Sequence, residues 1–183
     1  EQFGRLLRRL QEAGILDNTL VVFTSDHGEL LGAHGLYTKN VMASEEVYHI
    51  PLVLSGPGVA SGIVSDARVG LHDLAPTLLE TAGCEAIGTP DSRSFQPLLL
   101  HPDSAGKYDE GYAEYHGSRI LLTQRVVWAG RWKYVFNGFD VDELYDLEDD
   151  PYELRNLAVD PDFDDVLRAM SARMWARIRE TND

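Results

Sequence analysis

The sequence has little that would support covalent cross-linking, membrane insertion or binding to polyanions. It contains one cysteine, so no internal disulfide can form, and the redox compartment stays open. No apolar run approaches the roughly 20 residues that span a bilayer, which predicts no membrane segment in the chain. Its 16 basic residues stand against 30 acidic ones, and the net charge of -14 argues against nucleic acid as a partner.

What the composition supplies is an ordinary globular core. Hydrophobic residues make up 44% of the 183 positions, which is enough for one sizeable core with a second small subdomain. A small anionic substrate would have to be met by local positive charge, because the surface as a whole is acidic. The sequence therefore directs attention to a metal and a few bases.

The most informative stretch is an apolar run that stops abruptly. Residues 21–24 predict a buried strand, and Asp26, His27 and Gly28 follow at once. The carboxyl ends of strands bind ligands in open α/β sheets, and this pair offers an oxygen and a nitrogen to one cation. Lys39, beyond a loop with two glycines, adds a positive charge suited to an anion. By themselves, these residues are also typical of a solvated turn.

The first part of the chain mixes helical and strand patterns. A helix beside a near-continuous apolar strand is typical of an α/β layer rather than of a sandwich. The predicted elements are a helix over 1–14, a strand over 19–24, a short helix over 43–48, strands over 51–55 and 67–70, and a helix over 74–83.

After an irregular connection over 87–107, the pattern changes to short aromatic and β-branched runs, which predict a small antiparallel sheet. An acidic turn region and a helix with one apolar face follow them, and the helix is expected to pack on the sheet. We therefore predict two units, 1–106 and 107–183. The strand runs are 112–115, 120–124, 126–129 and 132–137, the turn region is 146–156, and the helix covers 163–178.

Four motifs, in order, resemble the sulfatases of the alkaline phosphatase superfamily. The first is Thr24-Ser25-Asp26-His27-Gly28-Glu29, continued by His34-Gly35-Leu36 and Lys39; the others are Ile50-Pro51-Leu52-Val53-Leu54-Ser55-Gly56-Pro57-Gly58, His72-Asp73-Leu74-Ala75-Pro76-Thr77, and Glu143-Leu144-Tyr145-Asp146-Leu147-Glu148-Asp149-Asp150-Pro151. The resemblance is to the C-terminal portion of the family. It implies the later part of an alkaline-phosphatase-like α/β sheet domain, followed by a small antiparallel sheet with a C-terminal helix.

The resemblance also implies a chemistry. Sulfatases use a divalent metal, usually Ca²⁺, together with a formylglycine nucleophile. Carried over by motif, Asp26 and His27 would be metal ligands, Lys39 would be catalytic and contact the sulfate, and His34 and His116 would be further substrate-binding residues. Many sulfatases carry Asn in place of His27. Because imidazole suits Mn²⁺ or Zn²⁺ better than Ca²⁺, those two ions stay alternatives.

The sequence departs from the family by lacking the formylglycine motif, Cys/Ser-x-Pro-x-Arg, and the early acidic pair of ligands. Cys84 has neither the Pro nor the Arg. The nucleophile is therefore expected upstream, and this chain alone is expected to be an inactive fragment of a sulfatase acting on a sulfated small molecule or carbohydrate.

Two alternatives to that reaction stay open. One is a phosphonate or phosphate ester hydrolase of the same superfamily, because the same metal and bases serve either tetrahedral anion. The other is a nonenzymatic binding derivative of the fold. Self-association of the chain is expected from an unpaired strand over 19–24. The sequence does not indicate a cellular location.

Overall fold

A computed structural model describes residues 1–39, 42–88, 91–117, 122–138 and 140–181. Helix α1 covers Gln2–Glu12, and Gly14, at φ +70°, follows it. Strands β1 (Val21–Thr24) and β2 (Leu52–Ser55) then form an antiparallel pair in which Val22 faces Leu54. No residue of β1 is buried and Phe23 is 47% exposed, so the expectation of a buried strand is wrong.

Three short helices complete this part of the chain: α2 (Glu45–Tyr48), α3 (Leu74–Thr81) and α4 (Gln96–Leu100). Two expectations about the segments between them are wrong. Residues 67–70 form no strand, and the connection predicted to be irregular contains α4 and a 3-10 helix at Pro102–Lys107. The reason is local packing, since Phe95 and Leu99 are buried with Tyr108 against the inner side of β2.

The C-terminal part is a four-stranded antiparallel meander in the order β3-β4-β5-β6, followed by one long helix. This confirms the predicted small sheet with a C-terminal helix. Of the predicted run 120–124, Ile120 and Leu121 lie outside the described residues. The elements are β3 (Glu110–Tyr115), β4 (Gln124–Ala129), β5 (Trp132–Asn137), β6 (Glu143–Asp146) and α5 (Asp164–Thr181).

The main core lies between this sheet and α5. Val127, Tyr134 and Leu144 meet Met170 and Met174, and all five are at most 3% exposed. The predicted apolar face of the last helix is thus confirmed as core, except at Trp175, which is 45% exposed. The opposite face of the sheet packs on the first part of the chain through Val126, Val135, Trp128 and Ala43.

The two parts are also joined by polar contacts. The Arg68 amide donates to the Tyr108 carbonyl over 2.6 Å, and the indole of Trp128 donates to a Glu45 carboxylate oxygen over 2.7 Å. The division at residue 106 stays a prediction. Among the described residues, no helix is long and apolar enough to cross a membrane.

Candidate functional site

The turn after β1 is built by local hydrogen bonds. The Ser25 hydroxyl donates to the His27 carbonyl over 2.7 Å, and an Asp26 carboxylate oxygen accepts from the His27 amide over 3.0 Å. The Gly28 amide then donates to the Val47 carbonyl in α2 over 2.9 Å. A Cβ at Gly28 would lie 1.9 Å from the Glu46 carbonyl oxygen, so only glycine lets the turn approach α2 this closely.

Asp26 and His27 present donors side by side. The His27 Nδ1 atom lies 2.8 Å from the Gly28 carbonyl, and because a carbonyl only accepts, Nδ1 carries the hydrogen. The lone pair of Nε2 is then free, 3.7 Å from Asp26 Oδ2. Hydrogen bonding from the Asp26 backbone amide, followed by the positive charge that His27 carries when it is protonated, lowers the pKa of the Asp26 carboxyl. An anionic oxygen and a neutral nitrogen at this spacing fit neighbouring positions around one divalent cation.

Lys39 lines the same cleft as Asp26 and His27. The cleft has a volume of about 1720 Å³ and runs between the two parts of the chain, and Glu114 and Tyr115 of β3 also line it. The Lys39 charge contributes to the lowered pKa of Asp26. The metal donors and the candidate anion-binding base therefore face one open space.

The two other histidines singled out by the sequence lie elsewhere. His34 is 12% exposed, with Nε2 3.4 Å from Glu46 Oε2, and is not among the described residues that line the cleft. His116 is exposed, with Nε2 3.1 Å from Oε2 of Glu114, so it stands beside a residue of the cleft wall. A substrate contact by either residue stays a prediction.

A buried ionic cluster, which was not predicted from the sequence, lies beside this site. Lys133 of β5 has a fully buried side chain, with Nζ 2.5 Å from Glu153 Oε1 and 3.2 Å from Glu45 Oε1. Burial raises the pKa of Glu153, and the Lys133 charge counteracts that rise. The available signal was a lysine flanked by aromatic residues inside an otherwise apolar strand, at Trp132-Lys133-Tyr134.

Solved structures share this architecture. A putative sulfatase from Bacteroides thetaiotaomicron superposes with a TM-score of 0.88 at 27% identity, over 97% of this chain and 39% of that one. A structure solved in complex with its substrate, D-glucosamine-2-N,6-O-disulfate, superposes with a TM-score of 0.89 at 28% identity, over 98% of this chain and 38% of that one. The phosphonate monoester hydrolase of Agrobacterium radiobacter superposes with a TM-score of 0.87 at 28% identity, over 98% of this chain and 39% of that one. The fold is thus one shared by sulfatases and phosphonate monoester hydrolases.

The sequence comparisons narrow this class. Residues 1–84 match the family model described as Sulfatase. A choline-sulfatase of Rhizobium meliloti is 35% identical over 164 residues, covering 88% of this chain and 31% of the relative. Arylsulfatase K of Xenopus laevis is 37% identical over 165 residues, covering 85% and 31%. The chain is thus similar to sulfatases over most of its length, and it spans about a third of the length of these curated relatives.

Proposed function

We propose that this chain is part of a metal-dependent sulfuric ester hydrolase that acts on a sulfated small molecule or carbohydrate. The observation that supports this most directly is that Asp26, His27 and Lys39 line one cleft. Two metal donors and one cation that line the same cleft suit a substrate that is a small anion. The match of residues 1–84 to the Sulfatase family model and the sulfated substrate of one structural neighbour agree with that class of reaction.

Each of these residues has a distinct role in the proposal. Asp26 and Nε2 of His27 would hold the divalent metal, which supplies Lewis acidity toward the sulfate oxygens when it is bound. Lys39 would neutralise the anion and orient it toward the metal. We propose Ca²⁺ as the ion, with Mn²⁺ or Zn²⁺ as alternatives because one donor is an imidazole.

The nucleophile belongs to the proposal as well. The sequence has no Cys/Ser-x-Pro-x-Arg motif, and the free Cys84 is exposed after α3 rather than at the cleft. The formylglycine of a sulfatase would therefore come from a segment outside these 183 residues. The chain by itself is proposed to be inactive, so turnover of an aryl sulfate by the purified chain would refute this part.

The test uses the intact gene product that contains this chain. Lys39→Ala and Asp26→Asn should each lower kcat/KM for an aryl sulfate by about 10²–10³-fold, the usual cost of losing one preorganised electrostatic contact. Lys107→Ala is the matched control, because Lys107 is not among the described residues that line the cleft. Unchanged kcat/KM in Lys39→Ala would reject the proposed role of that residue.

A phosphonate monoester hydrolase is the second candidate, favoured by the structural likeness to the Agrobacterium radiobacter enzyme. A metal beside a lysine serves a phosphonate monoester as well as a sulfate ester, so this site does not discriminate between them. Comparing kcat/KM for an aryl sulfate and an aryl phosphonate decides between the two. Metal binding with turnover of neither substrate would instead indicate a nonenzymatic binding derivative.

A further inference from the structure

The buried cation of Lys133 connects the two parts of the chain. Its ammonium group is paired with Glu153, which follows β6, and with Glu45, the first residue of α2. It also lies 5.5 Å from the ring centre of Trp128. A buried charge is costly unless it is paired, so Lys133 holds both carboxylates in place. The pairing therefore fixes the start of α2 against the C-terminal sheet.

Helix α2 depends on these contacts for its position. It has only four residues, and Ser44 at its N-cap makes no side-chain hydrogen bond to it. A helix this short is not stable alone. The Glu45 amide instead donates to Glu153 Oε2 over 2.7 Å, and its carboxylate accepts from the Trp128 indole over 2.7 Å. The C-terminal part thus supplies the cap that the local sequence lacks.

The other side of α2 is the support for the turn after β1. The Gly28 amide donates to the Val47 carbonyl, and the close approach of Gly28 to the Glu46 carbonyl leaves no room for a Cβ. A shift of α2 would therefore be passed directly to Gly28 and to the two residues before it. Nε2 of His34, in the following loop, lies 3.4 Å from Glu46 Oε2 of the same helix.

We infer that Lys133 is a positioning residue, which sets the proposed metal donors Asp26 and His27 through the ion pairs to Glu45 and Glu153 and through the backbone of α2. A catalytic role for this positioning rests on the proposed function, but the effect of Lys133 on the turn after β1 can be measured without turnover. It assigns to the C-terminal sheet a role in shaping the turn after β1.

The same cluster offers three potential metal donors, from His34, Glu46 and Glu153. The geometry favours ion pairing of Lys133 with Glu45 and Glu153, here called the ionic clamp, over a second metal site, because the Lys133 ammonium already lies 2.5 Å from Glu153 Oε1. A divalent cation there would be repelled by that ammonium. The ionic clamp and a second metal site predict opposite results in a metal titration.

The experiment measures hydrogen exchange of the backbone amides of the 183-residue chain by NMR. In Lys133→Met, the Gly28 amide should exchange with solvent roughly tenfold faster, while core amides such as Val135 stay protected. Arg131→Met is the matched control. It removes a cation of the same sheet whose ion pairs to Asp146, Glu148 and Asp149 all stay within the C-terminal part. Unchanged Gly28 exchange in Lys133→Met would overturn the inference.

A second variant tests the inference in case Lys133→Met does not fold. If Lys133→Met loses protection throughout the sheet, Glu45→Gln decides the question, because it keeps the side-chain shape and weakens only the α2 contacts. Faster exchange at Gly28 with a protected core supports the clamp, and unchanged Gly28 exchange refutes it.

A Mn²⁺ titration of the same samples separates the two proposals. Paramagnetic broadening at Asp26 and His27 should need roughly 10-fold more Mn²⁺ in the variants, as for loss of a group that supports metal ligands. Broadening centred on His34, Glu46 and Glu153 in the wild type would overturn the clamp. Absence of broadening at Asp26 in the wild type would count against the proposed metal site and leave the Gly28 exchange result to decide the clamp.

Discussion

Replacing Gly28 by alanine tests how closely the turn after β1 is packed on α2. The added Cβ would lie 1.9 Å from the Glu46 carbonyl oxygen, whereas ordinary contact begins near 3.4 Å, so the turn and α2 must separate by about 1.5 Å. The Gly28–Val47 hydrogen bond, now 2.9 Å, cannot survive that separation. Overpacking costs about 1–3 kcal/mol and a lost hydrogen bond about 0.5–1.5 kcal/mol, so we expect Gly28→Ala to cost roughly 2–4 kcal/mol.

Urea denaturation followed by far-UV circular dichroism measures this free energy of unfolding. Gly4→Ala is the matched control, because Gly4 lies in α1 and its Cβ would meet only the Arg8 side chain at 3.7 Å. Alanine should stabilise that helix by roughly 0.5–1 kcal/mol. A Gly28→Ala variant within about 0.5 kcal/mol of the wild type would refute the reasoning, since changes of that size are ordinary for surface sites.

Three further predictions concern the core, pH and association. Met174→Ala should lower the free energy of unfolding by about 2–5 kcal/mol, because this side chain of α5 is fully buried against the sheet. Arg168→Ala, at an exposed position of the same helix, should change it by less than about 0.5 kcal/mol, and urea denaturation compares the two variants. Burial opposes ionisation of Asp146, but hydrogen bonds from Arg131 and two backbone amides prevail and lower the pKa of its carboxyl. The ionised carboxylate therefore stabilises the fold above the unfolded pKa, and this stabilisation is lost as pH falls through the folded pKa. Asp146→Asn should be less stable than wild type by about 1.5–3 kcal/mol at pH 7 and should approach wild type in acid, which thermal unfolding across pH measures. The chain should self-associate through the exposed side of β1, and Phe23→Ser should reduce this; a single monomeric boundary in sedimentation velocity at high concentration would contradict it.

The elements that the sequence predicted best are those whose pattern depends on one buried face. Helix α5 has apolar residues at helical spacing from Phe163 to Ile178, and Met170 and Met174 are buried as that spacing requires. Strands β4 and β5, both of whose faces are covered, were predicted instead from their β-branched and aromatic residues. By contrast, β6 was missed because the acidic residues around Asp146 are typical of a turn, and only pairing with β5 makes it a strand.

The candidate site was predictable in part for a similar reason. Asp26 and His27 are adjacent in sequence, so a strand followed by a turn is enough to place their donors together. That Lys39 lines the same cleft depends on the path of the intervening loop, which has a positive φ at Gly32, His34 and Thr38. The orientation of His34 toward Glu46 rather than toward the cleft depends on where α2 lies.

By itself, the sequence determined the local features of this protein: the apolar periods, the donor types after β1 and the order of motifs shared with sulfatases. Only the tertiary structure decided which distant groups meet, because Glu45, Lys133 and Glu153 are far apart in the chain and each alone is an ordinary polar residue. Their pairing follows from the cost of burying a charge without a partner, and that cost exists only once the sheet has folded over α2.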